Sequence, residues 1–256
     1  MKHIEKKFIL RVPLGGDANE LLKNAPIPDK TELEERLRSG YYPLLIGEDN
    51  MLTQAFVYNL NKKDYRIPEP NPVTLYFHIA QSHLRVVREK RLDLLRDIDN
   101  NQFRATTDQH LIYDFFGNTA VFTTFLFNSI ECFINYKIPE TYKFTREGTQ
   151  KSETFNAQQI QRNLPFDDKI KLVIPEIFGK SFHLEEQADY TKIDKLKRLR
   201  DEIMHTKQTL NTANKYESFY IDLLNFNFDK TILAVRNYIN YYEPGTITEC
   251  KCGNDF

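Results

Sequence analysis

The sequence predicts an all-α fold, an up-and-down bundle of four to five helices that follows an irregular N-terminal extension. The chain of 256 residues contains only 9 glycines, whereas sheet-rich chains need glycine in many tight turns. Seven of the 11 prolines precede residue 73, and proline breaks helices because it lacks the amide proton. From residue 73 onward, apolar residues recur at helical spacing. We therefore predict an extension over 1–72, a bundle over 73–242 and a tail over 243–256.

Within the extension, short elements are predicted from local patterns. Two apolar runs, Phe8–Val12 and Tyr41–Ile46, are the strongest candidates for strands. A Thr-x-x-Glu capping box begins a short helix predicted over Thr31–Arg38. The periodicity of Met51–Leu60 fits a strand and a helix equally well.

The bundle itself is predicted from uninterrupted helical periodicity. Gly117 is expected to interrupt the second helix, and Gly179 to end the third. The polar stretch 140–163 is expected to be a long connection. Glu243–Gly245 ends the last helix, and the tail beyond it is expected to be loose. The predicted helices cover 73–98, 107–137, about 166–178, about 189–208 and about 212–242.

Composition limits the possible functions. The formal net charge is −1, and a dedicated nonspecific nucleic-acid binder would be strongly basic, so nucleic-acid contacts would be local. The charged start, Met1–Lys7, is unlike a signal peptide, and no apolar run approaches the length of a membrane span. We therefore expect a cytoplasmic protein without a membrane partner.

Cysteines and common motifs predict neither a metal nor a cofactor. Cys132 lies in an apolar helix and is expected to pack as a small hydrophobic residue. Cys250 and Cys252 form a lone C-x-C pair, which lacks the further ligands of a closed zinc site. The sequence also contains no phosphate-binding glycine loop, no H-E-x-x-H and no G-x-S-x-G.

The helix near the C-terminus carries the most specific pattern. Asp201 and His205 are four residues apart and share a face about 160° from the apolar stripe of that helix. Arg200 lies at the edge of the stripe, about 140° from His205. The stripe faces the core and consists of Leu196, Leu199, Ile203 and Leu210.

Two interpretations of this face remain open. In the first, His205 is an exposed residue paired with Asp201. In the second, the imidazole transfers protons near neutral pH, Arg200 binds phosphate through its planar donor fork, and Asp201 orients the imidazole. A proton-transfer group beside a phosphate-binding cation suffices for metal-free cleavage of RNA, in which the ribose 2′-hydroxyl is the nucleophile.

The residues around this pair resemble a known family. The segment Leu196–His205 is similar to the R-x₄₋₆-H motif of the HEPN superfamily. Upstream, Asn128–Asn135 resembles the apolar helix with embedded Glu and Asn that opens many such domains, and Asp168–Lys180 resembles their middle helix. The resemblance covers about residues 107–242.

The resemblance implies a HEPN-like bundle that dimerises through the motif helix, so that two subunits build one composite site. It implies a metal-independent endoribonuclease of a defence or toxin–antitoxin system, with RNA as substrate and an antitoxin protein as a further partner. His205 would be the acid/base and Arg200 the phosphate-contacting cation. Asp201 departs from the pattern, in which Asn is commonest. Other members are noncatalytic modules, so the alternative is a module that binds nucleotide, RNA or a partner protein.

Further residues are candidates for substrate binding. Thr124, Asn128, Glu131 and Asn135 fall within about 60° of one another on an otherwise apolar helix. This strip is either simply solvated or lines the same cleft as Arg200, where Glu131 would steer the guanidinium. Lys197 and Arg198 belong to a basic cluster around the motif that either contacts RNA phosphates or is a solvated face. In a third interpretation the chain is an unrelated helical scaffold with weak surface ion pairs.

Overall fold

The computed structural model describes residues 2–9, 11–13, 31, 35, 44–46, 51–100, 108–147, 152–205 and 216–253. The chain divides into two compact units. One unit comprises Met1–Glu5 and Pro72–Phe256, and the other comprises Lys6–Asn71. The larger unit is mostly helical, whereas the smaller contains an antiparallel sheet.

Among the described residues of the smaller unit, the central strand β3 (Met51–Leu60) pairs antiparallel with β1 (Arg11–Pro13), β2 (Leu44–Ile46) and β4 (Lys63–Pro68). The ambiguous segment Met51–Leu60 is thus a strand. A two-residue turn at Asn61 and Lys62 joins it to β4, and both residues have positive φ, 52° and 64°, as type I′ hairpin turns require.

The short elements predicted for the extension are found only in part. The predicted strand Phe8–Val12 corresponds to β1, with Phe8 in an isolated bridge to Pro70. The strand predicted at 41–46 is present at Leu44–Ile46, and 41–43 lie outside the described residues. Of the predicted helix over 31–38, Thr31 and Glu35 are helical, and its other residues lie outside the described part.

The larger unit contains nine helical segments and one hairpin among its described residues. They are α1 (Pro72–Asn100), α2 (Gln109–Lys137), β5 (Lys143–Glu147), β6 (Ser152–Asn156), α3 (Ala157–Asn163), α4 (Phe166–Asp168), a π-helical turn (Lys169–Val173) with α5 (Ile174–Phe178), α6 (Phe182–Glu185), α7 (Gln187–Met204), α8 (Glu217–Leu224) and α9 (Phe228–Tyr242). No helix among the described residues is both long and apolar enough to cross a bilayer.

The two longest helices, α1 and α2, pack antiparallel. Tyr76 near the start of α1 contacts Phe125 in the second half of α2, with ring centroids 5.6 Å apart. Further along α1, the Lys90 ammonium is 2.7 Å from the Asp114 carboxylate near the start of α2. The predicted interruption at Gly117 is wrong, because burial along α2 outweighs the cost of about 1 kcal/mol of a helical glycine.

Helices α7 and α9 complete the core with α1 and α2. Their inward faces carry the apolar residues expected from the 3.6-residue period. Leu196 and Leu199 of the predicted stripe are buried, Ile203 is partly buried against the core, and Leu210 lies outside the described residues. Fully buried side chains of the four helices include Phe77, Leu84, Phe122, Leu126, Ile130, Leu196, Val235 and Ile239.

The prediction of a long connection over 140–163 is wrong. The polar stretch forms the β5–β6 hairpin and then α3. Asn156 caps α3, since its side chain accepts a hydrogen bond from the amide of Gln159, whose side chain accepts one from the Asn156 amide. Only Phe144 of the hairpin strands is buried, so the sequence offers little apolar alternation to indicate them.

The predicted helix 166–178 contains a π-helical turn over Lys169–Val173, in which the Ile174 amide donates to the Lys169 carbonyl oxygen. Pro175 follows directly, and its ring would clash with the Lys171 carbonyl in a regular α-helix. The wider turn accommodates the proline. Gly179 ends the segment with φ of 67°, a left-handed conformation that suits glycine.

The predicted helix 212–242 is two helices, α8 and α9, and 212–215 lie outside the described residues. Asn227 starts the second, because its side chain accepts a hydrogen bond from the Lys230 amide at 3.0 Å. The tail after α9 is ordered rather than loose as far as residue 253: Ile247 is 3% exposed, and Glu249 forms an antiparallel bridge with Ile4. Burial of Ile247 explains this order, since the segment contributes to the core.

Candidate functional site

Arg200 of α7 lies against α2. One guanidinium nitrogen, Nη2, is 2.9 Å from the Glu131 carboxylate of α2, and Nη1 is 2.9 Å from the Asp201 carboxylate. The guanidinium carbon lies 4.4 Å from the centroid of the Phe127 ring. We call Arg200, Glu131, Asp201 and Phe127 the arginine cluster. Two carboxylates and an aromatic face therefore hold a side chain that is only 23% exposed.

Helical spacing on α2 explains why the cluster forms. Phe127 and Glu131 are four residues apart and share one face. Phe127 is almost fully buried, and Phe166 of α4 packs against it with ring centroids 4.7 Å apart. The guanidinium stacks on this ring, an arrangement that arginine favours over lysine. The position of Arg200 at the edge of the apolar stripe thus directs its guanidinium toward α2.

Asp201 also contacts a second cation. The Lys197 ammonium is 3.5 Å from the Asp201 carboxylate, one helical turn away, and 3.4 Å from the carboxylate of Asp167 in α4. Lys197 thus bridges α7 and α4 rather than extending into solvent. These ion pairs extend the arginine cluster into a network of alternating charges that connects α2, α4 and α7.

Arg198 is placed differently. Its side chain is 71% exposed and pairs with Asp194 one turn earlier. The hydrogen bond that the guanidinium donates to the Asp194 carboxylate raises the pKa of Arg198. Lys192 is likewise within 2.7 Å of Asp189, and Lys195 is 3.9 Å from Asp222. The basic cluster predicted from sequence is therefore largely balanced by carboxylates of the same unit.

Of the polar strip predicted on α2, Glu131 belongs to the arginine cluster, whereas Asn128 and Asn135 lie outside it. Lys169 is buried. Its ammonium donates to the Gln161 carbonyl oxygen at 2.6 Å and lies 3.5 Å from the side-chain oxygen of Asn135. Burial lowers the pKa of Lys169, and the negative charge of Glu131 opposes this shift. Asn128 is half-buried and makes no side-chain hydrogen bond within the described part of the chain.

His205 lies at the C-terminal end of α7 rather than within it. The helix ends at Met204, earlier than the predicted 208, and 206–208 lie outside the described residues. The His205 amide donates to the Asp201 carbonyl oxygen at 2.9 Å, and the side chain is exposed. Because the Asp201 carboxylate turns to Arg200 and Lys197, the expected carboxylate–imidazole pair is replaced by a backbone contact.

Two residues that the sequence pattern did not single out complete the contacts of Arg200 and Lys197. Phe127 contacts Arg200, and Asp167 contacts Lys197. Of the two, only Phe127 could have been found from the sequence, through its four-residue spacing from Glu131. Elsewhere among the described residues of the larger unit, a second set of side chains has metal-ligating chemistry. The ligand atoms of His3, Cys250 and Cys252 lie within 4.8 Å of one another.

Comparison of the chain with protein-family models, with curated proteins and with solved structures finds no match. A function for the chain therefore has to be inferred from the geometry of the arginine cluster and from the chemistry of its side chains.

The ion pair between Glu131 and Arg200 is expected to contribute measurably to stability. Replacement Glu131→Ala removes one partner of a mostly buried guanidinium and should lower the free energy of unfolding by about 1 kcal/mol. Urea unfolding of the single variants and of Glu131→Ala/Arg200→Ala would measure the coupling. Glu140→Ala, at an exposed turn, is the control and should have almost no effect. A coupling energy of zero would contradict the pairing.

Proposed function

We propose that the chain is a metal-independent endoribonuclease of the HEPN type, with His205 as the acid/base and Arg200 as the phosphate-contacting cation. The observation that carries the proposal is the arginine cluster. Glu131 and Phe127 hold the guanidinium in one orientation, so that little conformational entropy is lost when it binds a phosphate. The exposed imidazole of His205 lies five residues further along, an axial distance of about 7.5 Å on an ideal helix.

In the proposed reaction, the neutral imidazole of His205 accepts the proton of a ribose 2′-hydroxyl. The 2′ oxygen attacks the adjacent phosphorus while the bond from phosphorus to the 5′ oxygen breaks. The imidazolium then returns a proton to the 5′ oxygen, which yields a 2′,3′-cyclic phosphate and a 5′-hydroxyl end. The Arg200 guanidinium stabilises the negative charge on the phosphate oxygens. An imidazole is suited to both transfers because its ordinary pKa lies near neutrality.

A homodimer would assemble the site. On an ideal helix Arg200 and His205 would point about 140° apart, and the Arg200 guanidinium faces α2, so in this proposal the two groups at one phosphate come from different subunits. A two-fold axis near the C-terminal end of α7 would set Arg200 of each subunit beside the partner's imidazole. RNA would enter the resulting groove, which the strip of Asn128, Glu131 and Asn135 would line. Lys197 would exchange one of its two carboxylate partners for a phosphate. An antitoxin protein would inhibit the enzyme by covering this face.

Complementation tests the composite site. Arg200→Ala and His205→Ala should each be inactive alone, whereas an equimolar, re-equilibrated mixture should recover about a quarter of wild-type cleavage, because half of the dimers are mixed and each holds one intact site. Cleavage of a labelled single-stranded RNA in EDTA measures this. Covalently linked mixed dimers are the control for subunit exchange. A linked mixed dimer that remains inactive, although linked wild-type dimers cleave RNA, would contradict the composite site.

One observation favours a second candidate function, a noncatalytic module that binds RNA, nucleotide or a partner protein. The Asp201 carboxylate is 2.9 Å from the Arg200 guanidinium and therefore competes with a phosphate for it. A module of this kind would bind RNA without cutting it, and its overproduction would leave the growth of the host unchanged. An active nuclease would slow growth, and the His205→Ala variant would not.

A further inference from the structure

The described ends of the larger unit run side by side. Ile4 pairs antiparallel with Glu249, and the Cys250 amide donates to the His3 carbonyl oxygen at 2.6 Å. The same register places the Glu5 amide 2.9 Å from the Thr248 carbonyl oxygen. His3 and Cys250 are therefore directly opposite each other across a short ladder, although 247 positions separate them in sequence.

The core of the bundle holds this ladder in place. Ile4 is 1% exposed and Ile247 is 3% exposed, so each strand inserts an apolar side chain. The side chain of Gln81 in α1 accepts from the Ile4 amide at 3.2 Å and donates to the Lys2 carbonyl oxygen at 2.7 Å. Gln81 is fully buried. The backbone on both sides of His3 is thus fixed by a buried side chain rather than by surface contacts.

Side chains with metal-ligating chemistry converge beside the ladder. The chain turns at Lys251 and Cys252, and Gly253 follows with φ of 78°. The turn brings the Cys252 sulfur to 3.4 Å from Nδ1 of His3. The three ligand atoms of His3, Cys250 and Cys252 all lie within 4.8 Å of one another.

These distances suit a tetrahedral zinc ion. With Zn–S bonds of about 2.3 Å and a Zn–N bond of about 2.05 Å, ligand atoms in a tetrahedron are about 3.6–3.8 Å apart. Two thiolates and one imidazole form a soft to borderline donor set that disfavours Mg²⁺ and Ca²⁺. Cys252 is exposed, which leaves the fourth position open to a water molecule.

We propose that His3, Cys250 and Cys252 form a zinc-binding site that fastens the two ends of the larger unit together. Binding replaces the two thiol protons with one metal ion, and the released protons enter solvent. A metal bridge from residue 3 to residue 250 closes a loop of nearly the whole chain, and in the unfolded chain closure of so long a loop is costly in entropy. Zinc therefore stabilises the folded state. The site shares no residue with the arginine cluster.

Metal titration tests the site directly. Full-length protein is reduced, stripped with EDTA, freed of chelator and titrated with Zn²⁺ alone against a competing chromogenic chelator. We expect one ion per chain, and at zinc concentrations about 100-fold above Kd a rise in Tm of about 5 °C. Titration with Co²⁺ should give thiolate-to-cobalt charge-transfer bands and the intense visible bands of a tetrahedral complex.

Substitutions assign the ligands. Cys252→Ser and His3→Ala should each weaken zinc binding on the order of 100-fold and abolish the Tm rise. Cys132→Ala and His110→Ala, outside the site, should bind zinc as the wild type does. Because Cys252 is exposed, its variant is expected to fold. Equal affinity in Cys252→Ser and the wild type, cobalt spectra without thiolate bands, or no zinc bound by the reduced wild type would each overturn the proposal. None of these readouts depends on RNA cleavage.

Discussion

Replacing His205 with alanine is expected to slow RNA cleavage by roughly 10²–10⁴-fold, the contribution typical of a positioned general acid/base. The fold should be unaffected, because the side chain is exposed at the end of α7 and its truncation removes no buried contact. Single-turnover cleavage of an end-labelled single-stranded RNA in EDTA measures the rate. Thermal unfolding followed by circular dichroism measures the stability.

The matched control for this variant is His110→Ala. His110 is also exposed and lies in the first turn of α2, outside the arginine cluster. Its variant should cleave RNA at the wild-type rate. If His205→Ala were equally active, the imidazole would have no catalytic role. If the wild type bound RNA but left it intact with and without EDTA, the nuclease proposal would be dropped in favour of the noncatalytic module.

Replacing Phe133 with alanine is expected to lower the free energy of unfolding by about 3–5 kcal/mol, because it leaves a cavity in the core. Phe133 is fully buried in α2, and its ring meets that of Tyr238 in α9 edge-to-face, with centroids 6.0 Å apart. The expected fall in Tm is roughly 10 °C. Urea unfolding and thermal scans of the purified variant measure both values.

Tyr136→Ala is the control for Phe133→Ala. Tyr136 lies one turn further along the same helix and is 63% exposed, so its truncation should change the free energy of unfolding by less than about 0.5 kcal/mol. Similar losses in the two variants would mean that α2 presents a different face to the core. Since α2 also carries Glu131, such a rotation would remove the arginine cluster as well.

The long helices were predictable because their signal is local. An apolar residue every three or four positions buries one face of a helix whatever it packs against. The helix predicted over 73–98 is α1, Pro72–Asn100, and the one predicted over 107–137 is α2, Gln109–Lys137. The break expected at Gly117 is absent, because packing along the whole of α2 outweighs the low helix propensity of one residue.

The other errors arise where the decisive contact is distant in sequence or has no apolar signature. The β5–β6 hairpin is polar, and a pair of strands is stabilised by partners rather than by its own sequence pattern. The last predicted helix is divided at Asn227, whose side chain caps the start of α9. The periodicity of apolar residues does not reveal such a cap. The π-helical turn over Lys169–Val173 likewise depends on one residue, because it accommodates the ring of Pro175.

The amino-acid sequence alone determined the positions of the long helices, the alignment of Glu131 with Asn128 and Asn135, and the spacing of Arg200 from His205, because all of these follow from residues within a few turns of one another. Tertiary structure decided that Arg200 reaches Glu131 across 69 positions and that His3 meets the Cys250–Cys252 turn at the opposite end of the chain. The physical reason is the range of the forces involved. Helix periodicity depends on neighbouring residues, whereas burial of a shared core brings distant side chains together.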